Sequence, residues 1–236
     1  MKVRVKYQKA GSFQLIGHLD TMRYFQKAVR RAGLDIAYSQ GFSPHQLMTF
    51  AAPLALGVTS EGEYFDAEFH SLPSTAEFLE RINAQMVEGM AVKDIVLLPE
   101  HAKNSMSIVA ASDYRIEIRD RGQEADRKRR EQLFAAVPAF LDRQEIVVLK
   151  KTKKKEGMED IRPGILKMCR QEDSLYMLLL TGSEYNLKPE LVVESLCAQA
   201  GISYQPFDYH VHRLETYMKN EAGELVSLLE SGTRLG

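Results

Sequence analysis

An α+β fold is predicted by three features of the 236-residue sequence. Period-two and helical segments alternate in the order β-α-β-β-α-β, that order occurs twice, and a polar, aperiodic stretch lies between the two occurrences. The pattern predicts two tandem ferredoxin-like (βαββαβ) sandwiches, each of about 100 residues, an ordinary domain size. The expected boundaries are 1–100 for the first domain, 101–112 for a linker, 113–220 for the second domain and 221–236 for a C-terminal tail.

In the first unit, Val3, Val5 and Tyr7 alternate with Lys2, Arg4 and Lys6, as in a strand with one buried face. Leu19, Met22, Phe25, Val29 and Ala32 then fall at helical spacing, with Asp20 as the expected N-cap and Gly33 as the stop. Extended segments at Ile36–Ser39 and Leu47–Ala51 flank the Gly41-Phe42-Ser43-Pro44 turn, and Glu63–Phe69 alternates as a further strand. Ser74 with Glu77 forms a capping box for a helix through Met86, and Met90–Leu98 closes the unit as a strand. The second unit runs through a strand at Asp113–Arg119, a helix at Ala125–Leu141, a strand at Ile146–Lys153 and a hairpin tip at Lys154–Asp160. A strand at Leu175–Thr181, a helix at Pro189–Ala200 begun by proline, and a last strand within Tyr204–Met218 complete it.

Composition narrows the function classes. Apolar residues make up 44% and charged residues 27%, which excludes wholesale disorder and fibrous classes. Apolar runs such as Met177–Leu180 are far shorter than the roughly 20 residues that span a bilayer, and Met1–Lys6 lacks the apolar core of a signal peptide. A cytoplasmic protein without membrane contact is expected. The two cysteines, Cys169 and Cys197, are too few to hold an iron–sulfur cluster, and no cofactor or metal is expected. Walker, dinucleotide-binding, zinc-protease and nucleophile-elbow motifs are absent from the sequence.

The net charge of −1 conceals a segregation into blocks. Residues 1–59 carry +6, 60–113 carry −7, 114–155 carry +6 and 156–236 carry −6. The first helix places Arg23, Lys27, Arg30 and Arg31 at i, i+4, i+7 and i+8, a basic stripe opposite its apolar face. Lys150, Lys151, Lys153, Lys154 and Lys155 crowd the expected hairpin, behind a helix carrying Arg127, Lys128, Arg129 and Arg130. Clustered cations of this kind suit an RNA backbone, whose binding rests largely on phosphate neutralisation; they equally suit solvated faces and a strand edge protected by lysine.

Several ordered motifs carry a family resemblance. Gly17-His18-Leu19-Asp20, Arg30-Arg31-Ala32-Gly33-Leu34, Tyr38-Ser39-Gln40-Gly41-Phe42-Ser43-Pro44-His45, Pro53-Leu54-Ala55-Leu56-Gly57 and Ser60-Glu61-Gly62-Glu63 resemble the radical-SAM-associated domain family of bacteria, a domain of unknown function. Asp160-Ile161-Arg162-Pro163 resembles a further motif of that family, and Gln46 stands where the family often has proline. Such domains occur alone or C-terminal to cobalamin-binding-type radical SAM proteins. The resemblance implies an accessory role beside a radical SAM protein, and it supplies no catalytic residues.

Side-chain chemistry offers His18, Asp20, His45 and Glu63, with Glu61 and Asp66, as types suited to acid–base or metal chemistry. The competing reading has Asp20 capping the helix, His45 bonding a turn, and Glu63 and Asp66 facing solvent. His210 and His212 alternate on one strand face, without a third metal ligand placed by the sequence. The function expected is a non-catalytic partner of a radical SAM protein that binds or presents RNA in an RNA-modification process. Its contact residues would be Arg23, Lys27, Arg30, Arg31, Lys150, Lys151, Lys153, Lys154, Lys155 and Arg162. The alternatives are an enzyme using the His/Asp/Glu set and a pure protein-interaction module.

Overall fold

A computed structural model describes residues 1–151, 156–183 and 185–236. In chain order the first elements are β1 (Lys2–Lys9), α1 (His18–Arg31), β2 (Met48–Phe50), β3 (Thr59–Glu68), α2 (Thr75–Asn83) and β4 (Met90–Leu97). There follow α3 (Ser105–Ile108), β5 (Val109–Ile118), α4 (Glu124–Leu141), β6 (Val147–Lys151), β7 (Glu156–Asp160), β8 (Ile165–Gln171) and β9 (Ser174–Leu180). The chain ends with α5 (Pro189–Gln199), β10 (Tyr209–Lys219), β11 (Leu225–Ser227) and β12 (Thr233–Arg234). The fold class is α+β. Two compact units divide it, one of residues 1–110 and 213–236, the other of residues 111–212, so the C-terminal segment belongs with the first half of the chain.

In the first unit β1 pairs antiparallel with both β3 and β4, and β2 pairs antiparallel with β3, giving the order β4-β1-β3-β2. Phe25, Ala28 and Val29 turn one face of α1 into a core that also holds Val3, Val5, Phe65 and Ile95. Tyr7, Phe25, Phe50 and Phe65 form an aromatic cluster there, with ring centroids 4.6–6.0 Å apart. The helix stops as predicted. Gly33 has φ +63°, Leu34 N–H donates to the Val29 carbonyl at 3.2 Å, and the chain turns away. Helix α2 begins at the predicted cap, where Ser74 Oγ accepts from Glu77 N–H at 3.3 Å.

Two sequence-based expectations fail here. Helix α1 starts at His18 with Gly17 as its N-cap, and Asp20 sits exposed in the first turn. Arg4, expected on a solvated face, has no exposed surface, and Glu63 and Asp66 are buried as well. Both faces of β1 and β3 are covered, so charge does not mark the outer face; each buried charge is instead paired across the sheet. Gly62 has its own reason: a Cβ there would overlap the backbone of β10, with Leu214 O at 2.8 Å.

In the second unit β9 lies between β5 and β8, antiparallel to each, and the first residues of β10 lie beyond β5. The strand at 146–151 exists but does not join this sheet; β6 and β7 form a separate two-stranded ribbon. The second sheet strand is β8, which the periodicity missed. A register shift between Ile165 and Lys167 breaks its alternation, so inward and outward positions change phase within the strand. The hairpin tip predicted at 154–160 is in part strand β7; Lys153, Lys154 and Lys155 lie outside the described residues.

Replacing Arg4 by Met should destabilise the protein by about 3–5 kcal/mol, because the Asp66 carboxylate would remain buried without its partner. The double variant Arg4→Met/Asp66→Leu should recover much of that loss in denaturant unfolding; equal loss in single and double variants would contradict a paired-charge role.

Candidate functional site

The basic face of α1 survives folding as a usable surface. Arg23, Lys27 and Arg30 are exposed on the side of the helix opposite Phe25 and Val29. They line a groove of about 280 Å³ whose other wall is the 38–46 loop, through Tyr38, His45 and Gln46. Arg23 has one carboxylate neighbour, Asp20, at 3.3 Å on the exposed helix surface, an arrangement worth little in water. Lys27 and Arg30 have no ion-pair partner among the described residues. Among the described residues, no carboxylate lines the groove.

The loop is held by its own base. Tyr38 and Gln46 form an isolated antiparallel bridge, and Ser39 N–H donates to the His45 carbonyl at 2.8 Å. Ser39 Oγ accepts the His45 N–H at 3.1 Å and is hydrogen-bonded to the imidazole Nδ1 at 2.8 Å. These contacts close the segment from Ser39 to His45 into a loop that turns at Gly41, φ +113°, and carries Phe42 fully exposed at its tip. Below it, Gln46 Nε2 donates to the Gln26 carbonyl at 3.1 Å and to the Tyr38 hydroxyl oxygen at 3.3 Å, so the loop is tied to α1.

The four residues proposed for acid–base chemistry occupy separate environments. The His18 ring packs edge-on to Phe50 at 5.5 Å, Asp20 is exposed beside Arg23, and His45 is a loop residue of the groove. Glu63 is buried and accepts from Arg213 Nη1 at 2.9 Å; Arg213 also donates to the Ala52 carbonyl. Burial pushes the nearby Tyr7 hydroxyl well above its ordinary value, the Glu63 charge adding to it, and burial lowers the Lys9 ammonium, which donates to the Ile16 carbonyl at 2.6 Å. Among the described residues, no group of three or more His, Cys, Asp or Glu is placed to hold a metal ion. His210 instead lies 3.3 Å from the Glu117 carboxylate, and His212 is buried.

Two other predicted contact residues are occupied elsewhere. Arg31 donates to the Gln85 carbonyl at 3.0 Å. Arg162 donates from Nε to the Leu141 carbonyl at 3.1 Å and from Nη1 to the Ile165 carbonyl at 3.3 Å, joining the end of α4 to β8. Asp160 accepts from the backbone N–H groups of Ile146 and Arg162 at 2.7 and 3.0 Å, so this motif ties the base of the β6–β7 ribbon. Lys150 and Lys151 lie on β6, and Lys153–Lys155 fall outside the described residues. On α4, Arg129 pairs with Asp208 and Asp126, while Arg130 approaches Asp120 and Asp173 at 3.8 and 3.5 Å. The stripe and the loop are each visible in the sequence, but the groove they share, with Tyr38 and Gln46 among its walls, is not.

Residues 2–189 match the family described as "Uncharacterized protein conserved in bacteria (DUF2344)", and the chain belongs to that family. Nothing in the match ties the family to radical SAM proteins. No curated protein matches. Among solved structures, a chain of the "Crystal Structure of a Cbf5-Nop10-Gar1 Complex" is similar at a TM-score of 0.46 and 8% identity, over 93% of this chain and 50% of that one. The chain thus spans about half the length of that chain, and the likeness is too slight to carry an argument.

The Asp208 cluster yields a pH test. Burial raises the Asp208 carboxyl, but hydrogen bonds and charge from Arg121 and Arg129 outweigh it and hold the group below its ordinary range. A depressed folded value means the stabilisation is present above the unfolded value and lost as pH falls through the folded one. In thermal melts from about pH 5 down to about pH 2, the wild-type chain should lose stability more steeply than Asp208→Asn, which lacks this contribution throughout.

Proposed function

We propose that this family member is an accessory, non-catalytic RNA-binding protein that presents RNA to a radical SAM protein. The observation that supports it best is the groove on α1, where Arg23, Lys27 and Arg30 face a turn-fixed loop and no carboxylate competes for a phosphate. The strand orders β4-β1-β3-β2 and β8-β9-β5-β10, with the β6–β7 ribbon set aside, favour reading each unit as ferredoxin-like. The motif resemblance supports the radical SAM partner, and the charge supports RNA. No described helix is long and apolar enough to cross a membrane.

A second reading, a protein-interaction module, is favoured by Leu15, Leu19 and Leu56. All three are exposed, Leu19 and Leu56 on motif segments and Leu15 just before the first of them, and the Gly57 N–H donates to the Gln14 carbonyl at 2.8 Å, holding the two stretches together. On this reading the apolar surface, and not the groove, meets the partner.

Binding of purified protein to fragmented cellular RNA at about 50 mM and about 200 mM salt separates the two. The wild-type chain should bind in a salt-dependent manner. The variant Arg23→Glu/Lys27→Glu/Arg30→Glu should bind at least about tenfold more weakly, with the slope against log salt reduced by about 2, as expected for losing about three phosphate contacts to a single strand. Charge reversal at Lys153, Lys154 and Lys155 measures what those lysines add. No binding at the lower salt would favour the interaction module.

A further inference from the structure

Phosphate attraction alone would be served by any basic helix face. This groove has three features that phosphates do not need. Tyr38 lines it and is 43% exposed, although it is also held at its hydroxyl by Gln46. Phe42 stands fully exposed at the tip of the same loop, three residues before His45, with no core to enter. An exposed aromatic side chain on a loop closed by hydrogen bonds at both ends is a stacking surface held out to solvent at little entropic cost.

The third feature is Gln46. Both hydrogens of its amide are engaged, on the Gln26 carbonyl and the Tyr38 hydroxyl oxygen, and this network dictates which way the amide faces. Its Oε1 is buried and has no hydrogen-bond partner among the described residues, and the residue is only 6% exposed. A buried acceptor without a donor is a standing cost that a ligand N–H or O–H can relieve. The cations around it call for an anion, and the orphaned acceptor calls for a donor on the same ligand.

We infer that the α1 groove takes an unpaired nucleotide of single-stranded RNA, its phosphates on Arg23, Lys27 and Arg30, its base stacked on Tyr38 or Phe42, and a base N–H given to Gln46 Oε1. This rests on the RNA-binding reading above and narrows it. In a duplex the base faces are stacked on one another and the Watson–Crick N–H donors are consumed, so neither the aromatic rings nor Gln46 would find a partner. A strand with extruded bases satisfies all three features together.

The test compares three fluorescently labelled probes of equal length and charge per strand at one low salt concentration: a single-stranded oligouridylate, the same strand annealed to its complement, and an abasic sugar–phosphate strand. The single strand should bind the full-length protein at least about tenfold more tightly than the abasic strand, in line with the stacking contribution of one base. Phe42→Ala, which alters only an exposed side chain, should weaken binding of the single strand while leaving the abasic strand unchanged; Gln46→Met, which keeps the volume but removes the acceptor together with the amide donors that tie the loop to α1, should weaken binding of the single strand more than that of the abasic strand. Thermal melts of both variants check that they fold. Equal binding of all three probes would overturn this inference and leave phosphate recognition standing. Tighter binding of the duplex would overturn it in favour of a backbone-shape reader. Binding of none would overturn both readings.

Discussion

The buried pair of Arg4 and Asp66 is the constraint around which the first unit is assembled. Arg4 Nε and Nη2 donate to the two Asp66 carboxylate oxygens at 2.8 and 3.0 Å, a bidentate fork that joins β1 to β3. The remaining donors reach outward from the same point. Nη1 bonds Ser231 Oγ at 2.6 Å and the Leu228 carbonyl at 3.4 Å, Nη2 bonds the Lys103 carbonyl at 3.1 Å, and Asp66 Oδ2 accepts the Ser105 N–H at 2.7 Å. Two strands, the segment leading into α3 and the C-terminal turn therefore meet at one guanidinium. Lysine could not substitute, because a single ammonium cannot present a planar fork and further donors in fixed directions. Desolvating both charges is costly, so the pair is better understood as specifying the arrangement than as strengthening it.

The C-terminal segment illustrates the consequence. With Leu228 and Ser231 anchored on Arg4, the chain passes β4 so closely that a side chain at Gly232 would strike the Leu97 carbonyl, and β12 can then pair with β4 at Thr233 and Arg234. A segment expected from its position to trail behind the second half is instead an edge of the first unit's sheet. Tyr64 reinforces the same region, its hydroxyl donating to Glu215 on β10 at 2.6 Å and lying 3.0 Å from Ser227 Oγ. Burial and the Glu215 charge together push that hydroxyl far above its ordinary value, so it stays a neutral donor.

Local features were legible in the sequence because they depend on neighbours along the chain. The Schellman stop at Gly33, the Ser74 cap and the apolar stripe of α1 all lie within a few residues of their partners. Features that depend on distant partners were not. Arg4 meets Asp66 across 62 positions and Glu63 meets Arg213 across 150, so a rule that places charges outward had nothing to correct it. Strand β8 was hidden differently, by one shifted residue that interrupts the period-two pattern. At the candidate site, the stripe was visible because α1 is regular, and the 38–45 loop was visible by its glycine and proline content. Their meeting was not, since it rests on Gln46 bonding back to Gln26, a contact without a periodic signature.

The charges of this protein divide into those consumed by the fold and those left over, and only the second group can bind a ligand without loss of stability. Arg4, Arg213, Arg129 and Arg162 each hold a carboxylate or a carbonyl within their own unit, so a polyanion would have to compete with those partners. Lys27 and Arg30 hold nothing comparable, and Arg23 holds only an exposed neighbour. Net charge therefore misleads twice: it sums to −1 over the chain, and within the basic first block it counts buried Arg4 and Lys9 equally with the exposed residues of α1. What a phosphate meets is the local excess at the groove, within a Debye length of about 8 Å at physiological salt. Because the packed face of α1 is carried by Phe25, Ala28 and Val29, the cationic face can be altered without disturbing the core, so binding and folding at this helix are physically separable.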